Sequence, residues 1–274
     1  MSQHAKGLAG WLAYLGEADI PVLKSSARAL ERLHADESLL NPRSIANVVT
    51  DDPLMTVKLL RFMQTHKHRN QTHELVDVKQ ALLMMGIEPF FRDVPASPLV
   101  EDMLKDHLDA LLPLLHTVRR AQRSAYYAYD WALRLHDLHA EEVHVSTLLS
   151  HVAEILMWCF SPVQMLDILR LQHADASLRS ADLQKRVLGF SGVELQRQLA
   201  MDWHLPELLK NLHDPALAIT SRVRNVTLAV NLARHSAEGW DNAALPDDYR
   251  DIGNLLRMEP ERVMALVRMT QTPY

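Results

Sequence analysis

Apolar residues recur at three- and four-residue steps along almost the whole chain, and that spacing constrains the fold more than any other feature. In "VLKSSARALERLHA" Val22, Ala27, Leu30 and Leu33 fall near one helical face. "LMTVKLLRFMQTH" repeats the pattern with Leu54, Val57, Leu60, Arg61 and Met63. Strand-type alternation nowhere persists beyond a few residues. Glycine is scarce, 8 residues in 274, too few for the clustered glycines of phosphate loops or dinucleotide fingerprints. Helix-start signals agree with the period. Asn41-Pro42, Asp52-Pro53 and Ser161-Pro162 each set a capping side chain before a proline that has no N–H to lose. Gly86, after "VKQALLMM", is the expected C-cap.

Period and caps together predict helices over about 5–15, 22–35, 42–50, 53–66, 77–85, 99–106, 108–136, 141–159, 162–173, 180–188, 191–203, 206–212, 216–236, 246–257 and 260–270. "RDVPASPLVE", with two prolines and small residues, breaks the series near 92–101. Two lobes are therefore expected: an N-terminal helical lobe over 1–98 and a second helical lobe over 99–274. A polar loop near 237–247 is the other interruption. The fold class is all-α.

Apolar content of 48% and charged content of 23% suit a globular chain with a buried core. A net charge of −5 disfavours general attraction to nucleic acid. The single cysteine, Cys159, lies in the apolar run "ILMWCF" and is expected to be buried and inert. One lone cysteine suits a reducing cytoplasm. The N-terminus lacks a basic segment followed by a continuous apolar one, so no signal peptide is read. No apolar run is read as approaching a membrane span, so no membrane partner is expected.

Three ordered blocks in the first 94 residues are distinctive: "DIPVL" at 19–23, "SIANVVTDDPLMTVKLLRFMQ" at 44–64 and "VDVKQALLMMGIEPFFRDV" at 76–94. They resemble the HDOD family of bacterial signalling modules. That family's pattern is a Leu-Pro opening, an acidic-Pro-Leu helix start leading into Lys-Leu-Leu-Arg, and an Ala-x-x-x-Leu-Gly helix. The matching residues are Ile20-Pro21, Asp52-Pro53-Leu54, Lys58-Leu59-Leu60-Arg61, and Ala81 with Met85-Gly86. Farther on, "GFSGVELQRQLAMDWHLPELLKNLHDP" resembles the family's Trp-x-Leu-Pro segment through Trp203, Leu205 and Pro206. The resemblance spans roughly 18–215. The chain departs from the pattern at Gln64-Thr65, where the family often has Asn-Ser.

The resemblance implies an N-terminal helical bundle packed on a degenerate form of the HD phosphohydrolase lobe. Those enzymes hold divalent metal with a His, a His-Asp pair and a further Asp, because metal must activate water and offset phosphoryl charge. Their pair follows two apolar residues, and here Leu148-Leu149 precedes Ser150-His151 instead. Arg123-Ser124 stands where an upstream histidine is expected, and Gly192 stands where the family often has another. Arginine cannot ligate a cation.

Other residues do not rebuild a site at this level. His136-Asp137 precedes the pair position by more than ten residues and sits at a helix end, as does His213-Asp214. His144 and His151 are seven apart, about 10 Å of helical rise, too far for one ion at about 2 Å from each. No metal site, cofactor or catalytic residue is therefore expected. Arg123, Ser150, His151 and His213 are the candidates for lining a relict pocket or contacting an anion such as a nucleotide phosphate.

"KHRNQTHE" at 67–74 reads as a polar loop, and Lys67, His68 and Arg69 are its candidates for a partner surface. Tyr127 and Trp131 share a helical face, Tyr126 and Tyr129 lie beside them, and Phe90 and Phe91 are expected to pack at the lobe junction. No G-x-S-x-G, H-E-x-x-H or C-x-x-C motif occurs. The expected function, implied by the resemblance, is a non-enzymatic signalling module, a free-standing adaptor that binds a protein partner in trans. The alternatives are a divergent metal-dependent phosphohydrolase and a nucleotide sensor without turnover.

Overall fold

The computed structural model describes residues 6–66, 77–175 and 178–269. Among these residues the regular structure is entirely helical, apart from one parallel bridge between Val22 and Leu99. In chain order the first helices are α1 (Gly7–Glu17), α2 (Lys24–Ala35), α3 (Pro42–Asp51), α4 (Pro53–Thr65), α5 (Val78–Met85), α6 (Ile87–Asp93), α7 (Val100–Met103) and α8 (Leu108–Arg134). There follow α9 (Ala140–Leu149), α10 (Val152–Phe160), α11 (Pro162–Ala174), α12 (Ser180–Leu188) and α13 (Gly192–Asp202). The last are α14 (Glu207–Asn211), α15 (Ser221–His235), α16 (Leu245–Leu256) and α17 (Pro260–Met269).

Contacts divide the chain into two compact units: Met1–Val118 with Leu149–Leu205, and Arg119–Leu148 with Pro206–Tyr274. The expected 98/99 boundary falls inside the first of these. The reason is local: Val22 donates to the Pro98 carbonyl at 2.9 Å and accepts from Val100 at 3.0 Å, so the proline-rich break is stitched to the N-terminal segment.

The first unit is built on two helices buried on nearly every side. In α4 every residue from Pro53 to Leu60 is buried, and in α10 all are except Glu154. These two helices pack on each other, with α13 and α11 against α10 and α1 against α13. Asp52 fixes the start of α4. Its carboxylate accepts from Leu54 and Met55, and its second oxygen accepts from Leu23 at the start of α2, at 2.8, 3.2 and 3.1 Å. Burial pushes this carboxyl up, against the hydrogen bonds from Leu23, Ser26, Met55 and Leu54. Asn41 caps α3 as expected, in a reciprocal box with Ser44. Ser161 does not act as a side-chain cap: its hydroxyl donates to Gln164 Oε1 at 2.6 Å instead. Gly86 ends α5 at φ +86°, a region favouring glycine, and at once begins α6. That seven-residue helix was absent from the sequence reading, because Pro89 in its first turn reads as a breaker where it is tolerated.

The second unit centres on Trp131, fully buried with Tyr127, Val226, Leu232, Ile252, Val263 and Val267. Tyr127 and Trp131 stack at 5.9 Å between ring centroids, on the shared face their spacing set. Here α15 packs on α14 and α16, and α16 on α17.

The predicted single helix over 141–159 is two helices, interrupted at Ser150-His151. No glycine or proline lies there. At the interruption the buried Gln196 amide of α13 accepts from Ala153 N–H at 2.9 Å and donates to the Leu149 carbonyl at 3.0 Å. Those two backbone groups would bond each other in an unbroken helix. A side chain inserted into the ladder is a recognised cause of such breaks. The stretch Ala140–Phe160 is also long and apolar enough to cross a membrane, contrary to the sequence reading. Yet 83% of it is buried inside the protein, as a core segment should be.

Candidate functional site

The three blocks that carry the sequence resemblance meet around one cleft in the first unit. Arg61 on α4 reaches the C-terminal end of α1, where helix geometry leaves carbonyls without partners. Its Nη1 donates to the Leu15 carbonyl at 3.0 Å and its Nη2 to that of Ala18 at 2.8 Å. The guanidinium lies 5.2 Å from the Trp203 ring centroid, a cation–π contact with the end of α13. One turn earlier, Lys58 is almost fully buried and donates to Asp19 at 2.8 Å, to the Ile20 carbonyl at 3.0 Å and to the Ser97 carbonyl. Both signature cations thus bind backbone oxygens.

The cleft has a volume of about 600 Å³, with Leu12, Phe62, Val94 and Pro95 among its walls and Asp19, Asp93, Asp202 and His204 among its polar groups. Its carboxylates have partners. Asp19 takes Lys58, and Asp93 is gripped by Arg92 through two bonds of 2.8 Å, which hold its carboxyl below the usual range. Asp202 accepts from Gln198 at 2.7 Å. Gln64 and Thr65, where the chain departs from the family pattern, also line this cleft.

The residues expected to line a relict pocket are divided between the units. Ser150 and His151 belong to the first, at the break bridged by Gln196, with Ser150 Oγ 3.0 Å from His151 Nδ1. Arg123 and His213 belong to the second. Arg123 is a C-terminal clamp for α15: Nη1 binds the Ser236 carbonyl at 3.2 Å and Nη2 the Ser236 hydroxyl at 3.0 Å. Its Nε bonds the Tyr127 hydroxyl at 3.1 Å, and its guanidinium lies 5.4 Å from the Trp240 ring centroid. His213 is exposed in the turn after α14. Lys67, His68 and Arg69 lie outside the described residues.

His136-Asp137 also has a partner the sequence did not reveal. His136 takes a left-handed conformation, φ 54°, just past α8. Asp137 is held by Arg222 through Nε and Nη2, each at 2.8 Å, and Arg222 also reaches Glu142 at 3.5 Å. Burial raises the Asp137 carboxyl. Hydrogen bonds from Arg222 and His139 N–H, with their nearby charges, outweigh it and leave it below its ordinary value. These groups line a second cavity of about 660 Å³. Among the described residues no three His, Cys, Asp or Glu side chains come together to hold a metal ion. Cys159 is buried, and its thiol is pushed far up by burial. Sequence reasoning missed Gln196 and Arg222. Both act across 43 or more residues, and no local pattern marks either pairing.

The family model of the HDOD domain matches residues 20–214. Among solved structures, the MmoQ response regulator of Methylococcus capsulatus matches with a TM-score of 0.69 and 18% identity, over 92% of this chain and 99% of that one. A virulence factor from Campylobacter jejuni matches with a TM-score of 0.66 and 16% identity, over 90% of this chain and 87% of that one. No curated protein matches.

Proposed function

Since the chain belongs to the HDOD family, we propose that it is a regulatory module that works by binding a protein partner, without turning over a substrate. The observation that carries this reading is the use made of the signature cations. Lys58 and Arg61 spend their donors on backbone carbonyls and frame a cleft, as a scaffold for recognition requires. A phosphohydrolase instead needs charged groups aimed at a phosphoryl group or at its metal. The fold shared with a response regulator agrees with a signalling role. We place the protein in the bacterial cytoplasm, where its buried thiol would stay reduced.

Metal analysis of the purified protein, paired with a phosphodiesterase assay, tests the reading. Substoichiometric Mn, Fe and Zn with no turnover are expected. Stoichiometric metal with activity lost in His151→Ala overturns it in favour of a divergent phosphohydrolase. Cross-linking in cells should then capture one reproducible protein, and the yield should fall when Gln64 and Thr65 in the cleft are replaced by alanine. The nucleotide-sensor alternative needs Arg123 to meet a phosphate besides its bonds to Ser236. No thermal stabilisation by millimolar nucleotides is expected.

A further inference from the structure

We propose that Gln196 is a pin: its amide holds the segment between α9 and α10 broken at Ser150-His151. Two observations coincide there. The helical ladder fails between Leu149 and Ala153, and the Gln196 amide takes both freed groups at 3.0 and 2.9 Å. Gln196 itself is 5% exposed, so water does not compete for these bonds.

The orientation of the amide is fixed, because its oxygen must accept from an N–H and its nitrogen must donate to a carbonyl. A glutamine has the reach and both functions; an apolar side chain of equal length has the reach and neither. With an apolar side chain at 196, Ala153 N–H and the Leu149 carbonyl would be buried and unpaired unless they bonded each other. Nothing in the local sequence opposes that closure, since "TLLSHVAEI" has no proline or glycine. The pin therefore selects a broken segment over one helix from Ala140 to Phe160. It also sets the backbone of Ser150 and His151, the residues at the position of the HD pair.

The test uses the full chain with Gln196→Leu and the length-matched Gln196→Met, and Gln198→Leu as a control on the same helix. In the parent, the Ala153 amide nitrogen should show a scalar coupling across its hydrogen bond to the Gln196 side-chain carbonyl carbon. In both variants that coupling should move to the Leu149 carbonyl carbon. The backbone chemical shifts of Ser150 and His151 should move to helical values in the same variants. Gln198→Leu should leave both readouts at their parent values. Ser150 and His151 shifts that stay at their parent values, or an Ala153 amide that gains no coupling to Leu149 in a folded variant, overturn the proposal. Coverage by two variants guards against one failing to fold.

Discussion

The buried signature block of the first unit turns its charged side chains onto the backbone; the Asp137 group of the second turns its charges onto one another. Asp52, Lys58 and Arg61 are each held by main-chain N–H or carbonyl groups, and the first two are buried. Asp137, Arg222 and Glu142 form a partly exposed ionic group, as do Arg134 with Asp130 and Arg250 with Asp247. The physical consequence differs. A buried backbone group has no alternative partner once its side chain is removed, and the full desolvation penalty is exposed. Partly exposed ions fall back on water.

The sharpest way to break this contrast is Asp52→Ala. Three buried N–H groups lose their acceptor, and urea unfolding should show a loss of about 3 kcal/mol or more. Asp52→Asn keeps one acceptor oxygen and should cost less. If both variants unfold at the parent's midpoint, the first unit does not depend on its buried carboxylate and the contrast fails.

Lys58→Met comes next. It preserves the stem's packing but strips the donor from the Ile20 and Ser97 carbonyls and from Asp19, for an expected loss of about 2–3 kcal/mol. Arg61→Lys keeps the charge but has no planar fork to span the Leu15 and Ala18 carbonyls while facing Trp203. Its loss, about 1–2 kcal/mol in the same assay, should be accompanied by a change in Trp203 fluorescence. A charge-conserving substitution that costs nothing would mean that the signature arginine acts only as a point charge.

The same contrast explains what could be read from the sequence. Helix periodicity and proline-adjacent caps depend on neighbours within a few residues, so α3, α4 and the Gly86 stop were readable. So was the face shared by Tyr127 and Trp131. The signature Lys58 and Arg61 could be found by resemblance, but their partners on α1 and beside Pro98 lie 38 to 46 residues away. The break at Ser150-His151 was invisible, because the backbone groups it frees bond a glutamine in another helix. Arg123 is a sequence candidate for lining a relict pocket or contacting an anion; its bond to a helix end 113 residues onward has no local signal. A basic residue in a motif looks the same in sequence whether it meets a ligand or an orphan carbonyl.

The smallest expected effect lies in the second unit and tests its half of the comparison. Asp137→Asn removes one charge from the pair with Arg222, leaving a side chain that can still accept one hydrogen bond. The cost at neutral pH should be about 1 kcal/mol, since Arg222 is over a third exposed and solvent screens the pair. Its pH dependence has a definite sign. The Asp137 carboxyl sits below its ordinary value of 3.8 in the folded protein. The stabilisation is therefore present above that value and is lost as pH falls through the folded value. Parent and variant should differ most at neutral pH and converge in acid, with the gap also narrowing in high salt. A gap that persists below the carboxylate range would mean that Asp137 acts through its neutral hydrogen bonds. The two units would then differ in exposure alone, not in what their charges bind.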